Sequence, residues 1–350
     1  MPTGEAHPGI SPPAEPTSGP RGSAIGAAIA DIKLAHTVFA LPFAVLAAFL
    51  VAPRGLDSGG ILWPTFAGQL GVVVVCMVFA RTWAMVVNRL ADHRFDRDNP
   101  RTARRAIPAG RLGVRQGWMV ALGAAALFWT SAGLFWVFYG NPWPAVLAVP
   151  VLGWIALYSY TKRFTMLCHL FLGSALAVSP IAAAIAVGGM DVFLGGGTST
   201  NAQGVPAVTL WVPRAGASIL LVALFVMLWV AGFDVAYALQ DLDFDKRVGL
   251  RSIPARFGVR GALWVSRGLH LLAFAALVMV ARGGEFGPAF TVATIAVGAL
   301  LVFEHTVLAR RGIAGLPMAF FTVNGIISVT VALAGVADIL MRSHPAPPYP

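Results

Sequence analysis

Charge is scarce in this sequence. Only 11% of its 350 residues are Asp, Glu, Lys or Arg, where an average soluble domain carries about 25%. Too few polar side chains are present to cover a globule in water, which excludes a soluble protein. Acidic residues are the rarer sign, 15 against 25 Lys and Arg, leaving a net charge of +10. Cysteine is limited to Cys76 and Cys168, both in or beside apolar runs. With no metal-ligand spacing, they exclude a disulfide framework and a zinc site. No secretory leader is expected in residues 1–23, which are rich in Pro, Gly and Ser and have no long apolar run. A disordered tail is expected there.

Apolar sequence takes the place of charge. Hydrophobic residues make up 57% of the chain and mean hydropathy is +0.76. Runs of about 18 or more apolar residues recur, each long enough to cross a bilayer. The pattern predicts an all-α integral membrane protein of about nine transmembrane helices, near 32–52, 61–88, 116–138, 143–160, 167–188, 215–240, 261–281, 288–309 and 316–340. Residues 189–214, rich in Gly, Thr and Ser, are expected as a loop, and 343–350 as a short tail. One helical domain over 24–342 is expected, with weakly duplicated halves at about 24–188 and 215–342.

The basic residues fall on one side of these spans. Loops after spans two, four, six and eight, with the tail and Lys33, hold 19 of the 25 Lys and Arg. Arg54, Arg214, Arg282 and Arg342 fall opposite, while Arg81 and Arg267 lie inside spans. The positive-inside rule makes the basic side cytoplasmic. Nucleic acid is excluded as a partner, because the positive charge is confined to short loops that meet lipid or an anionic substrate.

The few acidic residues are concentrated. Asn88, Asp92 and Asp96 stand four residues apart, a line of side chains about 6 Å apart on a helix. Asp241 and Asp245 repeat the step 149 residues later (92 to 241, 96 to 245), with Asp234 and Tyr237 on the same face. Both runs continue through Arg to Ile-Pro-Ala, at Ile107 and Ile253. Clustered carboxylates repel unless cations lie between them, and Mg²⁺ takes one or two carboxylates plus phosphate oxygens. Two such clusters ringed by Arg and Lys suit a metal-bridged diphosphate; the alternative is a pair of solvated, charge-mixed loops.

The residues also resemble a family. Asn88-Arg-Leu-Ala-Asp92-His-Arg-Phe-Asp96 resembles the N-x-x-x-D-x-x-x-D motif of UbiA-type intramembrane prenyltransferases, and Asp234-x-x-Tyr237-Ala-x-Gln240-Asp241-x-x-x-Asp245 their second aspartate motif. The likeness extends to Asn99-Pro-Arg-Thr, Tyr158-Ser-Tyr-Thr-Lys-Arg163 and Gly249-Leu-Arg-Ser-Ile-Pro-Ala-Arg-Phe-Gly258. With Ile32-Lys-Leu-Ala-His-Thr-Val-Phe-Ala-Leu-Pro-Phe43 it is most similar to the 4-hydroxybenzoate polyprenyltransferase branch, including relatives proposed for menaquinone.

That resemblance implies helices around a central cavity and Mg²⁺ as cofactor. It implies transfer of a polyprenyl group from its diphosphate to an aromatic acid, 4-hydroxybenzoate or a related precursor of ubiquinone or menaquinone. Naphthoate, haem or chlorin acceptors stay open. A bacterial inner membrane location with a cytoplasmic site would follow. Asn88, Asp92, Asp96, Asp241 and Asp245 are the expected metal ligands. Arg101, Arg104, Lys162, Arg163 and Arg251 are candidates for diphosphate or carboxylate contacts, since Arg suits bidentate anion recognition. Asp234 and Tyr237 are expected to orient the acceptor, Asp234 helping to remove its phenolic proton, with a structural bond between helices as the alternative. Arg81, seven residues before Asn88, falls on the same helix face. Phe39, Phe43, Trp83, Phe171, Trp229 and Phe233 could wall the cavity, and Asn324 reads as a packing contact. A transporter would place its acids near the bilayer midplane instead. An EF-hand fails because Lys246 and Ser252 stand where Gly and Glu are needed.

Overall fold

A computed structural model describes residues 39–55, 60–200 and 206–342. The expected tails, and the start of the first span at 32–38, lie outside the described residues.

In hydrocarbon every backbone N–H and C=O must be satisfied within its own segment, so uninterrupted apolar sequence folds as helix. Among the described residues ten α-helices follow in order: α1 Leu41–Leu50, α2 Trp63–Asp98, α3 Val114–Tyr139, α4 Trp143–Thr161, α5 Cys168–Gly188, α6 Arg214–Tyr237, α7 Leu242–Val248, α8 Ile253–Arg282, α9 Pro288–Arg311 and α10 Asn324–Arg342. Among the described residues, eight segments are long and apolar enough to cross a membrane; α1 is a shorter apolar helix. Proline sits in the first turn of α2, α4, α8 and α9, where its missing N–H has no helical partner to lose.

The stretch expected as a loop at 189–214 holds a two-stranded antiparallel ribbon, β1 Gly195–Thr200 paired with β2 Pro206–Trp211. The reason lies in the second strand, Val208-Thr-Leu-Trp211, which is rich in β-branched and aromatic residues. Among the described residues the other named elements are helical.

Helix α6 is central, packing against α5 and α8, while α2 packs on α3 and α1 on α5 and α10. Its crossing with α5 is close. A Cβ built on Gly173 of α5 would stand 2.2 Å from the Met227 carbonyl oxygen of α6, so no larger residue fits without moving a helix. Around α6, Trp229 stacks on Phe225 at 5.7 Å and meets Phe43 and Phe233 edge-on at 5.7 and 5.2 Å. Asn324 accepts the Trp229 Nε1–H at 2.7 Å and donates to the Ala319 carbonyl at 3.0 Å. It is a packing contact.

Candidate active site

Helix α2 does not stop at residue 88 but runs through the first acidic stretch to Asp98. Asn88, Asp92 and Asp96 therefore share one face, with Asn88 Nδ2 donating to Asp92 Oδ2 at 3.3 Å. The second stretch is built differently. Helix α6 ends at Tyr237, a 3-10 turn covers Ala238–Asp241, and α7 begins at Leu242. Asp241 and Asp245 still point inward while Asp243 between them is exposed. Helix α7 closes on Gly249 at φ 73°, a left-handed cap that turns the chain toward Ser252.

Both acidic ends line one cavity of about 890 Å³. Asn88, Asp92, Asp96, Asp241, Asp245, Asp234, Tyr237, Arg81, Arg101, Arg104, Lys162 and Arg163 all face it. Arg251 does not. Its guanidinium donates to the Phe164 carbonyl at 2.8 Å and its N–H to the Lys162 carbonyl at 2.7 Å, so it ties the α4–α5 loop instead. Among the proposed aromatic walls only Phe39 and Phe233 reach the cavity. Phe43 and Trp229 are filled into the core behind them. Trp83 donates to the Leu152 carbonyl at 2.9 Å, and Phe171 lies against Trp154.

At the acidic end each carboxylate of the two pairs meets a cation. Asp241 takes Arg101 Nε at 2.9 Å and Nη2 at 2.5 Å, a bidentate contact, with Asn99 Nδ2 at 3.0 Å. The loop after the first stretch thereby grips the second. Asp96 is held by Arg105 Nη1, 2.8 Å from both oxygens. Asp245 lies 3.5 Å from Lys162 Nζ and accepts Ser252 Oγ–H at 3.0 Å. Asp92 and Arg163 are 3.4 Å apart, the guanidinium also lying over the Tyr160 ring. Burial pulls the Lys162 ammonium down, but Asp245 foremost outweighs it and holds it above the usual lysine value. Burial and Asp241 oppose each other at Arg101 in the same way, with the same upward result.

Seven cationic side chains and five carboxylates line the cavity, so its polar end is net positive. Along α2 the lining then turns apolar toward Val73, 15 residues or about 22 Å below Asn88. The space suits a polyanion joined to an apolar tail.

Several residues at the site carry no obvious signal in the sequence. Arg105 is one of eight arginines in 89–115, and nothing in the run says which of them meets Asp96. His169 is a lone histidine in an apolar run, yet its Nδ1 lies 2.7 Å from Asp234 Oδ2. The partner is 65 residues away, beyond any local pattern.

Known proteins bear on this geometry. The 4-hydroxybenzoate octaprenyltransferases of Alcanivorax borkumensis and Aeromonas hydrophila are 27% and 30% identical to the chain, over 72% of it and 80% and 81% of their own lengths. A UbiA homologue from Aeropyrum pernix superposes with a TM-score of 0.70 at 28% identity, covering 88% of this chain and 99% of that one. A homologue from Archaeoglobus fulgidus, solved with GPP and Mg²⁺, gives 0.61 at 19% identity, covering 90% and 99%. The sequence profile of the UbiA prenyltransferase family matches residues 40–337, nearly the whole described chain. The protein is a polyprenyltransferase embedded in a membrane, and it belongs to the UbiA prenyltransferase family.

Proposed function

We propose that the protein transfers a polyprenyl group from its diphosphate to the ring of an aromatic acid, with 4-hydroxybenzoate or a related quinone precursor as acceptor. One observation carries this reading: a single cavity joins a net-positive polar end to an apolar trough about 22 Å deep. The relatives named as 4-hydroxybenzoate octaprenyltransferases support the choice of acceptor.

The donor set fits Mg²⁺. Asn88, Asp92, Asp96, Asp241 and Asp245 offer hard oxygens toward one space. Among the described residues no three acidic, His or Cys side chains gather tightly enough to hold an ion alone. Mg²⁺ takes one or two carboxylates per ion and completes its shell with substrate phosphates. When bound, the metal would neutralise charge building on the leaving diphosphate.

The chain's own groups do the rest. Arg101, Lys162 and Arg163, now paired to carboxylates, stand ready to exchange them for diphosphate oxygens. Arg104, at the rim, adds a further positive charge. Arg81 lines the cavity about 10 Å below Asn88, where a cation suits the acceptor's carboxylate. Asp234 faces the same space and takes the proton that the acceptor releases, beside Tyr237. Phe39, Phe233 and the apolar trough keep water from the allylic cation, which water would convert to an alcohol. The distribution of basic residues supports a cytoplasmic opening, in a bacterial inner membrane.

Purified protein with Mg²⁺, a polyprenyl diphosphate and 4-hydroxybenzoate is expected to yield a ring-prenylated acid and pyrophosphate, and chelation is expected to stop it. A panel of naphthoate and benzoate acceptors scored by product mass identifies the acceptor. Release of prenyl alcohol alone with every acceptor would reject the reading.

A further inference from the structure

Four of the five carboxylates in the cavity are held by Arg or Lys. Asp234 is the exception among the described residues: its contact is the imidazole of His169, 2.7 Å from Oδ2. His169 is the second residue of α5 and is fully buried. Its other nitrogen, Nε2, lies 3.4 Å from the backbone N of Ile253. A backbone N–H only donates, so Nε2 accepts and the ring proton sits on Nδ1, directed at Asp234.

The ring N–H on Nδ1 therefore points at Asp234 and engages Oδ2 alone. No contact engages Oδ1 among the described residues, and Asp234 faces the cavity. The anchor of the histidine is also shared with the metal end, because Ser252, next to Ile253, donates to Asp245 at 3.0 Å. One short stretch of chain therefore sets both the metal-binding carboxylate and, through His169, the carboxylate that faces the acceptor.

We infer that His169 is the positioning residue for Asp234, aiming its free oxygen at the acceptor hydroxyl while prenyl transfer proceeds. The inference rests on the prenyl-transfer reading above. The step balances without a further reagent. The allylic C–O bond breaks with its electron pair leaving on pyrophosphate, and a ring carbon's π pair forms the new C–C bond. The hydroxyl proton passes to Asp234 Oδ1 and then out through the cavity mouth; rearomatisation releases the ring proton, which restores the hydroxyl. His169 keeps its own proton throughout. The other titratable groups facing the pair are Tyr158 and Lys162 from α4 and its end, Tyr237 on α6 itself, Cys168 beside the histidine, and Asp245 beyond Ser252.

The test compares His169→Leu, which removes the donor, with His169→Gln, whose amide N–H keeps one, in the intact protein in membranes. With 4-hydroxybenzoate at pH 7, His169→Leu is expected to lower kcat about 100-fold, as for loss of an aimed base, with KM for polyprenyl diphosphate within about twofold. His169→Gln is expected to regain most of that loss. The rate of the leucine variant is expected to climb with pH toward ionisation of the phenol itself, near 10 for an unperturbed phenol, while the wild type levels off earlier. Wild-type kcat in His169→Leu overturns the inference. So does an equal loss in both variants with no change in pH profile, which marks a packing role. Failure of the wild type to prenylate any acceptor sinks the functional reading instead, and is told apart by the wild-type assay alone.

Discussion

Replacing Lys162 by Met isolates one of the charge pairs at the acidic end. Asp245 is 2% exposed and lies 3.5 Å from the ammonium. Removing one partner of a fully buried pair costs about 3–5 kcal/mol, because the other charge is left uncompensated. The Lys162 side chain is 34% exposed, so water screens part of this and about 2 kcal/mol is expected. That corresponds to a Tm lower by about 3 °C. Only the side chain is at stake, since the bond from Arg251 N–H goes to the Lys162 carbonyl. Asp245→Asn removes the stranded charge, so the double variant is expected to recover, with a coupling of about 2 kcal/mol. The pH dependence has a definite sign. The folded-state value of Lys162 is raised, so its contribution is complete below the ordinary lysine value, about 10.4. It is lost as pH rises through the folded value. Thermal unfolding in detergent between pH 7 and 11 is therefore expected to show a constant gap to the wild type that closes only at the alkaline end. A gap of zero at pH 7, or purely additive losses in the double variant, would refute this account of the acidic end.

Other perturbations separate the remaining parts. Asp92→Ala and Asp241→Ala are each expected to cut turnover at least about 100-fold, by analogy with losses at supporting groups of metal sites, while both proteins still fold by size-exclusion profile. Arg81→Met is expected to raise KM for 4-hydroxybenzoate about tenfold or more, the scale of a lost charged hydrogen bond, and to leave KM for the diphosphate unchanged. Gly173→Ala is expected to cost about 1–3 kcal/mol by forcing α5 from α6, read as a lower Tm. The same substitution at Gly123, where a Cβ meets nothing within 4 Å, is expected to be tolerated.

How much of this was legible beforehand differs by residue. The spacing of Asn88, Asp92 and Asp96 gave their shared face, because α2 continues as regular helix through them. Asp241 and Asp245 were found by the same spacing, although the backbone there breaks from α6 into a 3-10 turn before α7. The break keeps Asp241 inward and was invisible to a pattern that assumes one helix. Arg251 lies within the stretch 249–258 that resembles the family, yet the turn after Gly249 sends its side chain to the Phe164 carbonyl. Arg105 and His169 escape for different reasons. Arg105 is one of eight arginines in its run with nothing to single it out, whereas the partner of His169 is set by tertiary packing 65 residues away. The ribbon at β1 and β2 was hidden by its glycines, which read as loop unless paired with the strand that follows.

The claim beneath all of this is that both acidic clusters serve one Mg²⁺-bound diphosphate. Crystals grown with Mn²⁺ and an unreactive thiolodiphosphate analogue test it most directly, by anomalous scattering. Metal peaks bridged by the diphosphate, one set beside Asp92 and Asp96 and another beside Asp241 and Asp245, are the expected result. Ions held at a single cluster, or a diphosphate bound away from both, would contradict it.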